Sequence, residues 1–171
     1  MSLTVPYARR DVRREQIEDA LGALYPWAKR LALMLARDPH TAEDLVQDAF
    51  VAALRKPPDV AGPEALQAWL RTVIVRMNGR RLRRLGREMR ALARLGARSA
   101  PEYSAETRGT LDVLRSLGPR QRACVVLFYI EDQSEHAIAE TLGIAHGTVK
   151  AHLAQARAKL RDSLGRSAQG V

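Results

Sequence analysis

Apolar residues recur at spacings of three and four through most of the chain, and period-two alternation is scarce. From Ile17 they run Ile17, Ala20, Leu21, Leu24, Ala28, Leu31, Ala32 and Leu35, one buried stripe of an amphipathic helix. Pro26 falls inside this stripe. It lacks an amide donor and crowds the turn before it, which predicts a kink or two abutting helices. Asp38-Pro39-His40 ends the segment, with His40 in a turn. A second helix is expected from Thr41, a capping residue with Asp44 three positions on. Ala42, Leu45, Val46, Ala49, Phe50, Ala53 and Leu54 form its inner face, and Glu43, Asp44, Gln47 and Asp48 its outer face. The run Lys56 to Pro63 holds three prolines and a glycine in eight residues, a loop by composition. A third helix carries Leu66, Trp69, Leu70, Val73 and Met77 on one side, extending to about Ala97.

Ser99 to Ser104 reads as a linker. Beyond it, helical segments are expected near Thr107–Leu117, Pro119–Ile130, Ser134–Leu142 and His146–Ser163. The predicted fold is all-α, with two small helical domains. Residues 1–98 form the first, 99–106 the linker and 107–171 the second. Trp27, Tyr25 and Trp69 are assigned to apolar packing, and Cys124 to a small buried hydrophobe.

The segment from Ser134 is the most informative. Ser134 is a natural N-cap for Glu135–Leu142, with Ala137, Ile138 and Leu142 inward. Gly143 permits the left-handed backbone of a tight turn. A longer helix follows with Val149, Leu153, Ala156 and Leu160 inside. Short helix, glycine turn and longer helix is the helix-turn-helix layout. The exposed side of the second helix carries His146, Thr148, Lys150, His152, Gln155, Arg157, Lys159 and Arg161. Lys150, His152 and Gln155 could reach base edges in a major groove, and Thr148 with the helix N-terminus could meet phosphate. A plain helical hairpin with a solvated charged face would show part of the same pattern.

Charge changes the picture. The 171 residues carry a formal net charge of +9, which points to a polyanionic partner, either nucleic acid or an anionic membrane surface. From Arg71 to Arg98 there are ten arginines against one acid, Glu88. No apolar run approaches a bilayer's width, and the N-terminus lacks the apolar core of a signal peptide. One cysteine excludes a disulfide framework and fits a reducing, cytoplasmic setting. No Walker loop, nucleophile elbow or zinc-ligand spacing occurs. The chain is therefore expected to be no enzyme, with no cofactor, no metal, no small-molecule substrate and no membrane partner.

Three stretches carry a family resemblance: AEDLVQDAFVAALRK (Ala42–Lys56), LQAWLRTVIVRMNGRRLRR (Leu66–Arg84) and the run from Leu117 to Arg161. Together they resemble the sigma factors of the extracytoplasmic-function (ECF) type in the sigma-70 family. The resemblance implies a subunit that directs bacterial core RNA polymerase to promoter DNA. The helix bearing Glu43, Asp44, Gln47 and Asp48 would dock on the polymerase β′ clamp. An acidic and amide face on a basic protein suits such a partner and would repel DNA. The loop holding Pro57, Pro58, Asp59 and Gly62 would capture a base flipped from the non-template strand. Arg71, Arg76, Arg80, Arg81, Arg83 and Arg84 would neutralise phosphate at the proximal (−10) element. The helix-turn-helix would read the distal (−35) element as duplex and dock near the β flap. An anti-sigma factor is a further partner the family implies. Arg76 and Arg80 stand where the family usually has Asn and Asp, and Ala151-His152 where it has Ser-Arg. A free-standing helix-turn-helix regulator, acting without polymerase, is the alternative.

Overall fold

The computed structural model describes residues 6–36, 38–94, 114 and 116–168. Every regular element among them is helical: α1 (Pro6–Leu35), α2 (Pro39–Arg55), α3 (Gly62–Arg94), α4 (Pro119–Val125), one wide π-turn (Val126–Ile130), α5 (Glu135–Leu142) and α6 (His146–Ala168). The fold is thus all-α, as the periodicity predicts. The expected linker and most of the segment Thr107–Leu117 lie outside the described residues.

The first three helices pack on one another around Leu31, Leu35, Leu45, Val46, Leu66, Leu70 and Ile74, all buried. Ala28, Ala32, Ala42, Ala49 and Ala53 are fully buried between them, small side chains that let the helix axes approach closely. Pro26 does not divide α1 into two abutting helices: the helix runs through it. The carbonyl that would bond a residue-26 amide belongs to Gly22, which is exposed, so water can serve it. The start of α2 also differs from expectation. Asp38, not Thr41, is the N-cap, and Pro39 sits at the first helical position, where a missing amide costs nothing. The Asp38 Oδ1 accepts the Thr41 amide at 2.7 Å. Burial works to raise the Asp38 carboxyl pKa, but the hydrogen bonds from Thr41 outweigh it and hold it below its ordinary value. His40 is therefore in the first turn of a helix and exposed.

The C-terminal helices enclose Cys124, Val126, Leu127, Ile138, Val149, Leu153 and Ala156. Burial pushes the Cys124 thiol pKa up to about 11, which suits an inert core residue. The expected helix Pro119–Ile130 is split. After Val125 the chain widens into the π-turn, closed by the Glu131 amide on the Val126 carbonyl at 3.1 Å. Such insertions recur where a side chain must be re-aimed, and here the turn delivers Glu131. Ser134 caps α5, its Oγ accepting the Ala137 amide at 3.2 Å, and Gly143 adopts φ 63°. Both follow the sequence reading.

Arg122 is buried at the junction of the two halves. Its Nε donates to the Leu114 carbonyl (2.8 Å), Nη1 to the Leu35 carbonyl (3.2 Å) and Nη2 to the Leu117 carbonyl (3.1 Å). Leu35 is the last residue of α1, so its carbonyl is one of the unpaired acceptors at that helix end. Buried Asn78 of α3 donates to it as well, at 3.4 Å.

Candidate functional site

Four surfaces were singled out in the sequence. On α2, Glu43 and Asp44 are tied within the N-terminal half, whereas Gln47 and Asp48 are exposed. Glu43 accepts from the Tyr25 hydroxyl at 2.8 Å and pairs with Lys29 at 3.1 Å. The Tyr25 hydrogen bond, then that from Lys29, holds the Glu43 carboxyl below its ordinary pKa. Reciprocally, hydrogen bonds to Glu43 and Tyr25 raise the Lys29 pKa. Asp44 lies 3.3 Å from Arg81 and 3.4 Å from His40. The result is a fixed carboxylate face with the exposed Gln47 and Asp48 beside it, Gln47 also hydrogen-bonding Glu43.

The Pro/Gly loop leaves Pro57, Asp59 and Gly62 exposed and Pro58 buried. Gly62 holds φ +85°, a backbone that side-chained residues rarely adopt. Beneath the loop is a cavity of about 280 Å³ lined by Ile17, Ala20, Pro58, Val60, Gly62 and Leu66, among others.

Along α3 the six arginines separate into three sets. Arg80, Arg83 and Arg84 are exposed, with Arg84 pairing Glu88 at 3.2 Å. Arg81 turns to Asp44. Arg71 and Arg76 instead meet the C-terminal half. Arg71 Nε donates to Glu131 Oε2 at 2.7 Å, with only 14% and 6% of the two side chains exposed. The same carboxylate accepts Trp27 Nε1 at 3.1 and 3.3 Å, and the Arg71 guanidinium lies 5.7 Å from the Trp27 ring centroid. Arg76 donates to the carbonyls of Thr141 (3.1 Å) and Glu140 (3.2 Å). These belong to the last turn of α5, whose dipole favours a cation. Arg71 is thus largely buried at this junction, whereas Arg76 stays exposed beside it. Trp27, assigned to the core from its sequence position, is half-buried and serves this junction.

On the helix-turn-helix, Lys150, Ala151, Gln155 and Arg157 are exposed and Thr148 is half-buried. His146 Nε2 lies 3.0 Å and Lys150 Nζ 3.9 Å from Glu135 Oε2. Gln155 accepts from Gln121 at 2.9 Å. Arg157 donates to the Tyr129 hydroxyl at 2.7 Å and lies 5.8 Å from the Phe128 and Tyr129 ring centroids. Both ring nitrogens of His152 are buried without a hydrogen-bond partner. It lines a cavity of about 660 Å³ between the two halves, with Arg83, Arg87, Arg90, Arg120 and Lys159 also on the wall. The sequence reading missed Glu131 and Arg122. Glu131 meets Trp27 and Arg71 across long separations, and Arg122 joins the nearby Leu114 and Leu117 carbonyls to the distant Leu35 carbonyl.

No group of three or more potential metal ligands occurs among the described residues. No described helix is long and apolar enough to cross a membrane.

Two family models match the chain: sigma-70 region 2 over residues 21–88 and sigma-70, region 4 over residues 109–160. An RNA polymerase sigma-E factor of Streptomyces avermitilis is 33% identical over 140 residues, 79% of this chain and 77% of that protein. The ECF RNA polymerase sigma factor SigM of Mycobacterium tuberculosis is 32% identical over 145 residues, 83% of this chain and 74% of its own. Among solved structures, the sigma factor RpoE of Bartonella quintana, in complex with the anti-sigma factor NepR, superposes with a TM-score of 0.67. It is 26% identical, and the match covers 88% of this chain and 98% of RpoE. CnrH in complex with the cytosolic domain of CnrY gives a TM-score of 0.56 at 26% identity, covering 91% and 96%. With relatives of this identity and coverage, and with both regions matched in order, the chain belongs to the sigma-70 family of RNA polymerase sigma factors, among those of the ECF type.

Proposed function

We propose that the chain divides promoter recognition between its halves, residues 1–98 and 107–171, joined by a linker at 99–106. The exposed acidic and amide face of α2, Gln47 and Asp48 with Glu43 and Asp44 beside them, docks on the β′ clamp of core polymerase. The loop Pro57–Gly62 and the cavity under it receive an unstacked base of the proximal element. The α3 arginines neutralise the adjoining phosphates. Helix α6 enters the major groove of the distal element with Lys150 and Gln155, while His146, Thr148 and Arg157 flank it. His152 is the weakest member of that set, because its nitrogens are turned inward.

The observation that carries this reading is the coexistence of three unlike surfaces on one small chain: an acidic helix face, a basic helix and a capped helix-turn-helix. A free-standing regulator needs only the last, and the family assignment does not favour it. The chain itself supplies no bond-making chemistry; catalysis stays with the polymerase, and both act in the cytoplasm. An anti-sigma factor is a fitting partner, since the solved relatives RpoE and CnrH were captured with such inhibitors or their domains.

The test is run-off transcription with core polymerase on a randomised promoter library. Adding the chain should select a narrow set of start sites, with two conserved elements upstream of each. Unchanged start-site use would overturn the proposal. Each half alone should bind weakly, because simultaneous attachment provides the affinity, and binding should fall steeply with salt as counterions are released.

A further inference from the structure

We infer that Gln121 of α4 fixes which way the Gln155 amide faces, and that Gln155 is thereby set to read guanine in the distal element. The inference rests on the proposed seating of α6 in the major groove. It deepens that reading by naming a base and the residue that selects it.

A glutamine amide has two unlike ends: an oxygen that only accepts and a nitrogen with two hydrogens that only donates. Turned one way or the other it matches different bases, so its orientation sets specificity. On a bare helix surface the amide can rotate to suit either. Here a chain of contacts makes the choice, and it begins at a backbone amide. Gln121 is the third residue of α4 and reaches back to the Gly118 amide, its Oε1 accepting at 3.3 Å. The same oxygen accepts from Lys159 Nζ at 3.2 Å. Both partners are donors and neither can accept, so the Gln121 oxygen must face them and its nitrogen must face away. That nitrogen donates to Gln155 Oε1 at 2.9 Å. Gln155 therefore has its oxygen held by Gln121 and its nitrogen left to meet a base.

The relay starts on packed structure and ends in the open. Gln121 is half-buried and next in sequence to buried Arg122, whereas Gln155 is exposed. Gln155 and Lys159 stand one helical turn apart on α6, so both come to the same glutamine. In the major groove guanine shows two acceptors, N7 and O6. Adenine shows one acceptor, N7, beside the N6 donor. An amide that presents N–H groups suits guanine. The two-bond pairing of glutamine with adenine needs the amide oxygen as well, and that oxygen is turned to Gln121 instead.

Run-off transcription with the full chain and core polymerase decides this, on templates randomised through the distal element and sequenced after selection. Gln155→Ala, at an exposed position, should lose base preference at one pair and keep it elsewhere; that pair is the one Gln155 reads. Wild type should favour guanine over adenine there by roughly tenfold, the scale of one well-made base contact. Gln121→Glu is the decisive variant. A carboxylate still accepts from the Gly118 amide and from Lys159, so α4 keeps its cap, but it cannot donate. Gln155 must then turn its nitrogen to residue 121 and its oxygen outward, and the preferred base should change from guanine to adenine. Gln121→Ala, which releases the amide, should accept both purines alike. A residue that merely supports the fold would lower transcript from every template and leave the preferred base unchanged. Adenine already preferred by wild type would overturn the inference. So would a base unmoved by Gln121→Glu, a change to a pyrimidine, guanine kept as sharply in Gln121→Ala, or no flattened pair in Gln155→Ala. Wild type that selects no start sites would overturn the proposed function itself, and that result is seen before any variant is compared.

Discussion

The N-terminal and C-terminal halves are similar in being small helical bodies, yet they hold together by different means. The N-terminal half has a core of leucine, isoleucine, valine and closely set alanines, with no charged side chain in the buried class among its described residues. The C-terminal half keeps a charge inside: Arg122, satisfied by three carbonyls. The first arrangement follows from periodicity alone and tolerates change of like for like. The second depends on particular acceptors being in place, because an interior cation without them is costly. The half with the proposed DNA-reading helix is also the half whose order is conditional on its neighbour, since one of those acceptors is Leu35 of α1.

The sharpest way to break this contrast is Arg122→Ala. It removes a donor from three carbonyls, of which those of Leu114 and Leu35 keep the Leu117 amide and Asn78, and it opens a cavity, which together should cost about 4 kcal/mol. Calorimetry should show the loss in the unfolding of the C-terminal half; an unchanged melting curve would remove the contrast. Leu70→Ala, at a fully buried position of α3, should cost about 3 kcal/mol through lost apolar contact. That loss should appear mainly in the N-terminal half. Lys150→Ala comes next. It should weaken binding to the distal element about fivefold, the scale of one lost polar contact, and leave helicity and melting temperature intact. An equal drop in melting temperature would make Lys150 a structural residue.

The smallest effect expected is at Glu43. Its carboxyl pKa is held low, first by the Tyr25 hydroxyl and then by Lys29. A carboxyl with a depressed folded pKa adds stability at pH values above its ordinary range. It loses that contribution as pH falls through the depressed folded value. Glu43→Gln should therefore flatten the acid side of a urea-denaturation profile. The linked rise of the Lys29 pKa works in the opposite sense: its contribution is present below the ordinary lysine value and fades as pH rises past the raised one. The variant should soften the alkaline side too. A profile unaltered at both ends would show that this surface pairing contributes nothing.

Much of this was legible from residues that act on near neighbours. Ser134 caps α5 and Gly143 turns the chain because each serves groups within a few positions, and the apolar faces of α2 and α3 follow the 3.6-residue repeat. The start of α2 was misplaced by local competition. Thr41 and Asp38 are both capping residues, and Pro39 decides for Asp38 by fixing the first helical φ. The continuity of α1 through Pro26 depends on exposure at Gly22, which only the packed molecule determines. Arg71 and Arg76 were read as members of one basic run, since a sequence shows their charge but not what meets it. Glu131 is a single acid after an apolar stretch, and nothing near it in the chain announces a partner on α3.

The carbonyl of Leu35 has two donors on different bodies, Asn78 and Arg122. If the halves part, Asn78 stays behind and that oxygen keeps a bond, whereas the guanidinium departs with one acceptor fewer and must be met by water. Separation is thus a one-sided expense. It falls on the moving half, and it is refunded in full only on return to the same seat, so the chain should snap between two states in preference to drifting among many.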